Sequence, residues 1–559
     1  MKKLLSFLFG LSVLFCQAEE KILARVGIIT DTHVMPNIKS CIPLEKAFRV
    51  FKKAGVDMIV HCGDAASSHK EKAYQNYRAT FNKVFPQKKP VELFAFAGHD
   101  RVGIESYEKA WPLFKKRMEI KHEPYSKTYL AGYIFLTAPQ NTNWKIYEKQ
   151  IADACRETPG KPVFLIDHVP ALNTCYDSKT WGNASTRRVL DKYPQIVQLS
   201  GHVHGTFKNE QNIWQGNFTA VNAGCCGESY SGFLVGTAPE RTRADEALIM
   251  EISKNKLVFR RYDLAAGPEG KEYKPDQPWV VPMPFDPAAA PYTAAKRKLI
   301  PPEEFPANAG LAVKPDRIPC DHLELVIPEI QSREGAFIYD IRISRKNAAG
   351  RWEPFVRQEI FGAYNLPPGK RKKFRSHKLS AGYFEPGKNY KIDVAPVNYF
   401  YTAGKAVSVE FTMPERIQYP VLFESKDPMK DCRFVADRKG DKEIPVKNGF
   451  YQHKAWFARL LFPDAAKLWA GPRKARFRLT IDMHTIQPEI KYRWFVALSN
   501  VAYPHYPFQR ITTPPGDSGS HRIVVDFAKP RADHVYHLYV AQGDPGQIRF
   551  NYIKVEKLP

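Results

Sequence analysis

Short apolar runs alternate with longer stretches of helical spacing between residues 21 and 263. The apolar runs, bounded by polar positions, predict buried strands at residues 24–30, 57–61, 92–97, 133–137, 163–166 and 196–199. Apolar residues spaced three and four apart predict helices at residues 44–54, 71–84, 105–118, 144–157 and 184–192. From residue 220 to residue 262 the pattern becomes that of hairpin-like strands. The alternation predicts an α/β fold in which sheet layers are flanked by helices.

Helical spacing nearly vanishes in the second half of the chain. Prolines and alanines crowd residues 266–320, which predicts a Pro-rich linker. Residues 321–414 predict strands at 322–327, 337–344, 390–397 and 406–412, and the run from Tyr390 to Asn398 resembles the later strands of fibronectin type III domains. Residues 415–559 predict strands at 476–483, 493–498, 523–527 and 535–540 and hence a jelly-roll-like β-sandwich. Two all-β sandwich domains are therefore expected after the α/β domain.

Residues 1–18 have the composition of a secretory signal. Lys2 and Lys3 are basic, residues 4–15 are apolar, and Cys16-Gln17-Ala18 offers a cleavage site. A membrane anchor is one rival interpretation, but the apolar run is shorter than the roughly 20 residues of a spanning helix. Lipidation of Cys16 is another, which the bulky Phe15 disfavours. We expect a periplasmic or secreted protein with no membrane span after signal cleavage.

Length, charge and cysteine content set broader limits. A chain of 559 residues predicts two to four domains. The formal net charge of +25 would attract anionic substrates, although solvated Lys and Arg would equally keep an exported protein soluble. No Arg–aromatic stripe indicates a nucleic-acid groove. Removing Cys16 leaves eight of nine cysteines, an even number that permits disulfides, but we expect most of them to be buried thiols.

Polar motifs follow the predicted strands in a fixed order. They are Asp31-Thr32-His33, Gly63-Asp64, Gly98-His99-Asp100, His168-Val169-Pro170 and Gly201-His202-Val203-His204. Ligand groups in α/β sheets gather just past the carboxyl ends of the strands, so one edge of the fold can bring these side chains together. Carboxylates and imidazoles together suit Mn, Fe or Zn rather than Ca. Each motif alone is common by chance, but their order and placement indicate a site for a pair of divalent metal ions.

The motif order resembles that of the calcineurin-like metallophosphoesterases, which share D-x-H, G-D, G-N-H-[DE], H-x-P and G-H-x-H. The likeness spans about residues 21–263, within a domain expected at residues 19–265. The resemblance implies a ligand set of Asp31, His33 and His204 for the first ion, Asp64 as the bridge, and His168 and His202 for the second. Two such ions would activate a shared hydroxide for in-line attack on phosphorus.

The resemblance gives His99 a different role, because the corresponding histidine of the family is not a metal ligand. It reaches the phosphoryl or leaving-group oxygen, where an imidazolium donates a proton to the departing alkoxide or stabilises charge on phosphorus. We therefore expect His99 to be catalytic.

The third motif departs from the family pattern at Gly98. Aligning His99 and Asp100 with the family places Ala97 at the glycine position and Gly98 at the asparagine position. That asparagine binds the second metal through its side-chain oxygen, which glycine lacks. A slipped alignment, with His99 at the ligand position and Asp100 at the catalytic one, stays open. In either alignment the second site is altered, and water, a backbone carbonyl or a nearby polar side chain is expected to take the missing place. We expect the second ion to bind more weakly than the first.

Several neighbouring residues have weaker claims to a role. Arg101 is a possible substrate-binding residue, Asp167 either orients an imidazole or faces solvent, and Asn222 and Gly224 are expected to be structural. His61 and Cys62 are expected to pack beneath the site.

These patterns lead to two functional hypotheses. The first is an exported metal-dependent phosphoesterase, with diesters favoured over monoesters by the resemblance alone and residues 177–188 as the candidate substrate loop. The second is a catalytically weakened protein of the same fold that acts as a cell-surface or glycan-binding scaffold. A sugar platform in the C-terminal half would use Trp456, Tyr492 and Trp494, although core packing is the commoner role of such residues.

Overall fold

The computed structural model describes residues 20–67, 70–101, 103–227, 245–364, 366, 368–436, 443–453, 457–486, 495–500, 510–512, 519–528, 536–541 and 546–559. The predicted signal at residues 1–18 and the aromatic residues Trp456, Tyr492 and Trp494 lie outside these ranges.

The N-terminal half contains thirteen strands among its described residues. They are β1 (Ala24–Ile29), β2 (Met58–His61), β3 (Val91–Phe94), β4 (Ser126–Leu130), β5 (Tyr133–Thr137), β6 (Val163–Ile166), β7 (Ile196–Ser200), β8 (Ile213–Gln215), β9 (Thr219–Asn222), β10 (Glu246–Ile252), β11 (Lys256–Asp263), β12 (Lys271–Tyr273) and β13 (Trp279–Pro282). One sheet has the order β12-β11-β10-β1-β2-β3 with β13 beside β11, and the other has the order β4-β5-β6-β7-β9-β8. The six strands predicted between residues 24 and 199 are all present.

The described residues of this half also contain seven α-helices. They are α1 (Ile42–Ala54), α2 (Glu71–Val84), α3 (Tyr107–Arg117), α4 (Trp144–Glu157), α5 (Ser178–Trp181), α6 (Ala184–Leu190) and α7 (Ala294–Lys298). Helices α1, α2 and α3 share a core with the first sheet, and α4 and α6 share one with the second. A third core lies between the sheets and contains Val26, Val60, Phe164 and Leu199. The predicted α/β arrangement of sheets under helices is confirmed.

Parallel pairing brings the motif-bearing strand ends to one edge. β1, β2 and β3 are parallel neighbours in the first sheet, and β5, β6, β7 and β9 are parallel neighbours in the second. Every residue of β2, β6 and β7 is buried, and these strands are mostly apolar, with His61, Gln198 and Ser200 as the exceptions. The motifs therefore gather at a single edge of the layered domain.

The segment predicted as a linker, residues 266–320, contains regular structure that the sequence pattern did not indicate. β12 and β13 both pair with β11 in the first sheet. The segment ends in β14 (Ala312–Pro315), which pairs with the first strand of the next domain. Short strands at a sheet edge escaped the sequence analysis because prolines flank them and hide their alternation.

The middle domain has two facing sheets. After β14 it contains β15 (His322–Pro328), β16 (Ile338–Lys346), β17 (Trp352–Phe361), β18 (Phe374–Ser380), β19 (Asn389–Val397) and β20 (Val407–Thr412). The sheet orders are β14-β15-β18 and β17-β16-β19-β20, and both sheets contribute to one apolar core. The fibronectin type III likeness itself stays a prediction.

The last domain is also rich in strands. It contains β21 (Val421–Ser425), α8 (Pro428–Asp431), β22 (Arg433–Ala436), β23 (Val446–Lys447), β24 (Phe450–His453), β25 (Phe457–Leu461), α9 (Ala465–Leu468), β26 (Arg476–Ile486), β27 (Phe495–Asn500), β28 (Arg510–Thr512), β29 (Gly519–Ala528), β30 (Tyr536–Ala541) and β31 (Gly546–Leu558). One sheet has the order β23-β24-β31-β26-β29 with β21 beside β31, and the other is β22-β25-β30-β27-β28. This arrangement agrees with a β-sandwich.

Two general features complete the fold. The eight described cysteines are all buried free thiols, as the sequence analysis expected. Within the part of the chain that the structure describes, no helix is long and apolar enough to cross a membrane.

Candidate metal centre

The strand ends bring six motif side chains together. Their ligand atoms form three overlapping groups in which all atoms lie within 4.8 Å of one another. The groups are Asp31, His33 and His204; His33, Asp64 and His99; and Asp31, Asp64 and His168. Because each group shares a residue with another, the cluster is continuous. This is the arrangement that a pair of neighbouring cations requires.

Short distances between ligand atoms define the cluster. His204 Nε2 lies 3.1 Å from Asp31 Oδ1, and His33 Nε2 lies 3.2 Å from His204 Nε2. His168 Nε2 lies 3.2 Å from Asp64 Oδ2, and His33 Nε2 lies 3.9 Å from the same oxygen. His33 thus stands between the two carboxylates.

Two buried ligand atoms of the cluster lack a well-aligned hydrogen-bond partner in the part of the chain that the structure describes. Among the described residues, Asp31 Oδ1 and His168 Nε2 are buried without a correctly aligned hydrogen-bond partner, despite the short distances to His204 and Asp64. A buried polar atom without a partner is costly in free energy. Converging carboxylate and imidazole atoms of this kind fit divalent cations of the Mn, Fe or Zn type.

Most of the candidate ligands also have an unusual backbone. Asp31, His33, Asp64, His202 and His204 have φ values of 50, 43, 55, 70 and 48°. Residues other than glycine rarely occupy this left-handed region, and each instance costs on the order of 1–3 kcal/mol. The surrounding structure must impose these conformations, and such strain is commonly found at functional sites.

The turn before Asp64 requires glycine. Gly63 has φ 98°, and a Cβ there would lie 2.6 Å from His168 Nδ1. The same His168 Nδ1 is 2.8 Å from the carbonyl oxygen of Cys62, to which it donates a hydrogen bond when Nε2 is the ligand atom. The glycine turn therefore lets the His168 ring come close enough to be oriented by the backbone.

Asp100 holds the two loops that carry Asp64 and His99. Its Oδ1 accepts hydrogen bonds from the amides of Ala65 and Ala66, and its Oδ2 accepts from those of Asp64 and Ala97, at 2.9–3.2 Å. The side chain is only 1% exposed. Asp100 therefore fixes the backbone beneath the metal cluster rather than joining it.

The electrostatics favour anionic carboxylates at the site. Burial alone would raise the pKa of Asp31, but the facing imidazoles of His204 and His168 hold that pKa well below its usual range. Burial would likewise raise the pKa of Asp64, and His168 lowers it below its usual value. Burial lowers the pKa of His202 to about 4, helped by His168, so its imidazole is neutral at pH 7. Against the effect of burial, Asp64 and Asp31 raise the pKa of His168 to about 10, and Cys225 and Asp31 raise the pKa of His204 well above its usual value. These two imidazoles would therefore release a proton on binding a cation, because the neutral ring is the form that ligates a metal.

His202 lies beside the groups rather than within them. Its backbone N–H donates to Asp31 Oδ2 over 2.9 Å, and its ring lies edge-on to His168 with centroids 5.0 Å apart. The half-exposed Trp181 of α5 packs edge-on to the same ring at 6.2 Å. The predicted substrate loop therefore reaches the site through Trp181.

His99 borders the cluster at the start of a short 3-10 turn, His99–Arg101. Its backbone N–H donates to Asp64 Oδ1 over 3.0 Å, and its ring lies edge-on to that of His33 at 4.9 Å. Desolvation lowers the pKa of His99, and the neighbouring Asp64 opposes that shift. The ring is thus placed to contact a group bound between His33 and Asp64.

The weaker candidates have structural partners. Arg101 donates from Nη1 to the backbone carbonyl oxygens of Ile104 and Glu105. Its role in substrate binding stays a prediction. Asp167 is 2% exposed, so it does not face solvent, and it lies 3.5 Å from the Gln198 amide. Asn222 donates to the carbonyl oxygen of Gly201 over 2.7 Å.

His61 and Cys62 are both fully buried beneath the site, where the sequence analysis placed them. His61 Nε2 lies 3.1 Å from Thr32 Oγ1, and His61 Nδ1 accepts from the backbone N–H of Gly63 over 3.2 Å. Burial lowers the pKa of His61, so the ring is neutral and can accept that bond. His61 therefore braces the first and second motifs from below.

Sequence reasoning missed two residues at this site. Cys225 Sγ lies 3.6 Å from His204 Nδ1 and donates to the carbonyl oxygen of Asp31 over 3.2 Å. Gln140 Oε1 accepts the backbone N–H of Gly98 over 2.6 Å. Gln140 is a polar residue shortly after β5, and this strand-end signal could have identified it.

Comparison with known proteins agrees with the geometry. Residues 24–206 match the family model of calcineurin-like phosphoesterases, a range that contains every candidate metal ligand. None of the curated proteins matches the chain.

Three solved structures are similar to the N-terminal part. A predicted phosphoesterase from Streptococcus pneumoniae is 11% identical, with 46% of this chain and 97% of that chain covered and a TM-score of 0.23. Vacuolar protein sorting 29 from Cryptosporidium parvum is 11% identical, with 46% and 96% covered and a TM-score of 0.23. A purple acid phosphatase from yellow lupin is 14% identical, with 46% and 53% covered and a TM-score of 0.33.

Proposed function

We propose that this protein is a metal-dependent hydrolase of phosphate esters, because residues 24–206 match the family model of calcineurin-like phosphoesterases. The observation that carries the proposal is the continuous cluster of Asp and His ligand atoms in overlapping groups. Within it, the buried Asp31 Oδ1 and His168 Nε2 have no well-aligned hydrogen-bond partner among the described residues, which leaves both atoms available to a cation.

Each side chain of the cluster has a distinct place in this proposal. Asp31, His33 and His204 would hold one ion, and Asp64 would be shared between the two ions. His168 would hold the second ion from below, with His202 beside it. Two divalent ions bound there would lower the pKa of a shared water and neutralise charge on the phosphoryl oxygens.

His99 would act on the substrate directly. Its ring stands next to His33, and its backbone is tied to Asp64 Oδ1, so its distance from a bound phosphoryl group is fixed. An ester phosphate nearby would raise the pKa of this imidazole, because an anion favours the protonated ring. His99 would then donate a proton to the departing alkoxide.

The second, non-leaving organic group of a diester would contact the loop of α5. Trp181 is 37% exposed and lies edge-on to His202, so it offers an aromatic surface beside the ions. A diester carries a second organic group that can occupy such a surface, whereas a small monoester does not. We therefore propose a preference for diesters.

The test is hydrolysis of bis-p-nitrophenyl phosphate and of p-nitrophenyl phosphate with Mn²⁺, Fe²⁺ or Zn²⁺. We expect metal-dependent turnover that is faster for the diester, and a loss of at least 100-fold in Asp64→Asn. The exposed Asp57, which only accepts a hydrogen bond from the Arg25 amide, gives the control variant Asp57→Asn. Equal rates in all three proteins would contradict the proposal.

The same assay tests the alternative scaffold function. Folded protein that binds metal but turns over no ester with any ion would favour a binding role for the β-sandwich domains. Export to the periplasm or beyond is also part of our proposal, and it is supported by the basic and apolar composition of residues 1–18.

A further inference from the structure

The loop that carries His99 has no side chain at Gly98, next to the candidate second-metal position. This loop faces Asp64, because the backbone N–H of His99 donates to Asp64 Oδ1 over 3.0 Å. The other oxygen of Asp64 faces His168 Nε2 at 3.2 Å. Asp64 therefore contacts both His168 and the loop that carries Gly98.

The side chain of Gln140 reaches into this loop from the other sheet. The backbone N–H of Gln140 donates to the carbonyl oxygen of Phe96 over 2.9 Å, and the side-chain Oε1 of Gln140 accepts a hydrogen bond from the backbone N–H of Gly98 over 2.6 Å. Gln140 is therefore fixed at two points along the loop. Its carbonyl oxygen is held in place rather than left in solvent.

Consecutive amides of one turn bind the Gln140 oxygen and the bridging carboxylate. The Gly98 N–H donates to Gln140 Oε1, and the His99 N–H donates to Asp64 Oδ1. The same turn therefore contacts both oxygens. An amide oxygen has two lone pairs, so one hydrogen bond leaves the other lone pair for a cation.

The absence of a side chain at Gly98 leaves room for the side chain of Gln140. A Cβ at Gly98 would lie 3.1 Å from Gln140 Oε1, tighter than an ordinary contact. A side chain at position 98 and the observed position of Gln140 therefore compete for the same space. The side-chain amide next to this loop therefore comes from Gln140, after β5, rather than from position 98.

We infer that Gln140 supplies the amide oxygen ligand of the second metal ion, in the space that Gly98 leaves open. The inference rests on the proposed dinuclear site. Amide and carboxylate oxygens suit Mn²⁺ well, so Mn²⁺ is the probe.

The test is calorimetric titration of the full chain with Mn²⁺. Gln140→Met removes the oxygen and keeps a side chain of similar length. We expect two Mn²⁺ per wild-type chain, a loss of about 10–100-fold in affinity at one site of the variant, and no change at the other. Gln195 gives the matched control, because it lies directly before β7, at the opposite end of that strand from the ligands. Its side-chain amide donates to the carbonyl oxygens of Thr158 and Lys161. Gln195→Met should leave both affinities unchanged.

A second variant separates metal binding from a structural role. Gly98→Asn combined with Gln140→Met returns an amide from the loop itself, and we expect it to recover at least tenfold in second-ion affinity. Wild-type binding of fewer than two Mn²⁺, unchanged binding in Gln140→Met, or no recovery in the double variant would each overturn the inference. Two bound Mn²⁺ without ester hydrolysis would instead count against the proposed function and leave the role of Gln140 standing.

Discussion

Asp100→Ala should destabilise the N-terminal domain more than an ordinary surface change. The Asp100 carboxylate accepts four backbone amides from two loops and is almost completely buried. Each intramolecular hydrogen bond contributes about 1 kcal/mol net, so the four together contribute roughly 4 kcal/mol. Alanine offers no acceptor, and the amides would be left buried without partners.

Asp100→Asn makes the estimate sharper, because the two carboxylate oxygens serve different pairs. An asparagine oxygen can keep one pair of amides, while its NH₂ group would face the other pair. We therefore expect about half the cost, near 2 kcal/mol. Asp57→Ala is the matched control, since Asp57 accepts one amide and is exposed; it should cost less than about 1 kcal/mol.

Pulse proteolysis in urea can measure these costs, with peptides from residues 24–206 quantified by mass spectrometry so that only this domain is followed. The expected order of unfolding free energy is wild type and Asp57→Ala above Asp100→Asn, and Asp100→Asn above Asp100→Ala. A cost below 1 kcal/mol for Asp100→Ala would refute the reasoning that this carboxylate holds the two loops.

Three further predictions address the substrate loop, a buried acid and the domain junction. Trp181→Ala should raise KM for bis-p-nitrophenyl phosphate several-fold with little change in kcat, because the ring beside His202 is exposed to substrate; an unchanged KM would exclude that contact. Burial raises the pKa of Glu246 from 4.5 to about 8, so as pH rises the unfolded state loses this proton before the folded state does. The free energy of unfolding should therefore fall as pH rises from 4.5 to 8, by at most about 1.4 kcal/mol per pH unit. Glu246→Gln should flatten that slope in thermal melts, and an equal slope in both proteins would contradict the assignment. Arg478 is 1% exposed and lies 2.8 Å from Asp321 of the middle domain. Arg478→Met should lower the free energy of unfolding in urea by about 3 kcal/mol, and a loss below about 1 kcal/mol would mean that this contact is not stabilising.

The N-terminal fold could be predicted because its strands are buried on both faces. β6 is apolar at every position, and β2 and β7 are mostly apolar and fully buried, so their limits are clear in the sequence, and a polar motif follows each one. β4 was missed because it is a half-exposed strand at a sheet edge with no apolar run. β12 was missed because it is short and lies in a Pro-rich segment.

The clustering of Asp31 and His168 was predictable, because each follows a buried strand whose carboxyl end lies at the same edge of the fold. The site was not predictable where the role depends on a contact between distant strands. Gln140 lies 42 positions from Gly98, and only the fold shows that its oxygen meets the Gly98 amide. The left-handed backbone of Asp31 and Asp64 also has no sequence signal, because aspartate adopts this conformation only when the surrounding structure imposes it.

The most direct test of the central claim is the rate of bis-p-nitrophenyl phosphate hydrolysis as Mn²⁺ is added to metal-free protein. We expect a rate that rises from the buffer value and saturates with two Mn²⁺ bound per chain, and a rate at least 100-fold lower for Asp64→Asn at the same Mn²⁺ concentration. A rate that is independent of Mn²⁺, or equal in wild type and Asp64→Asn, would contradict it.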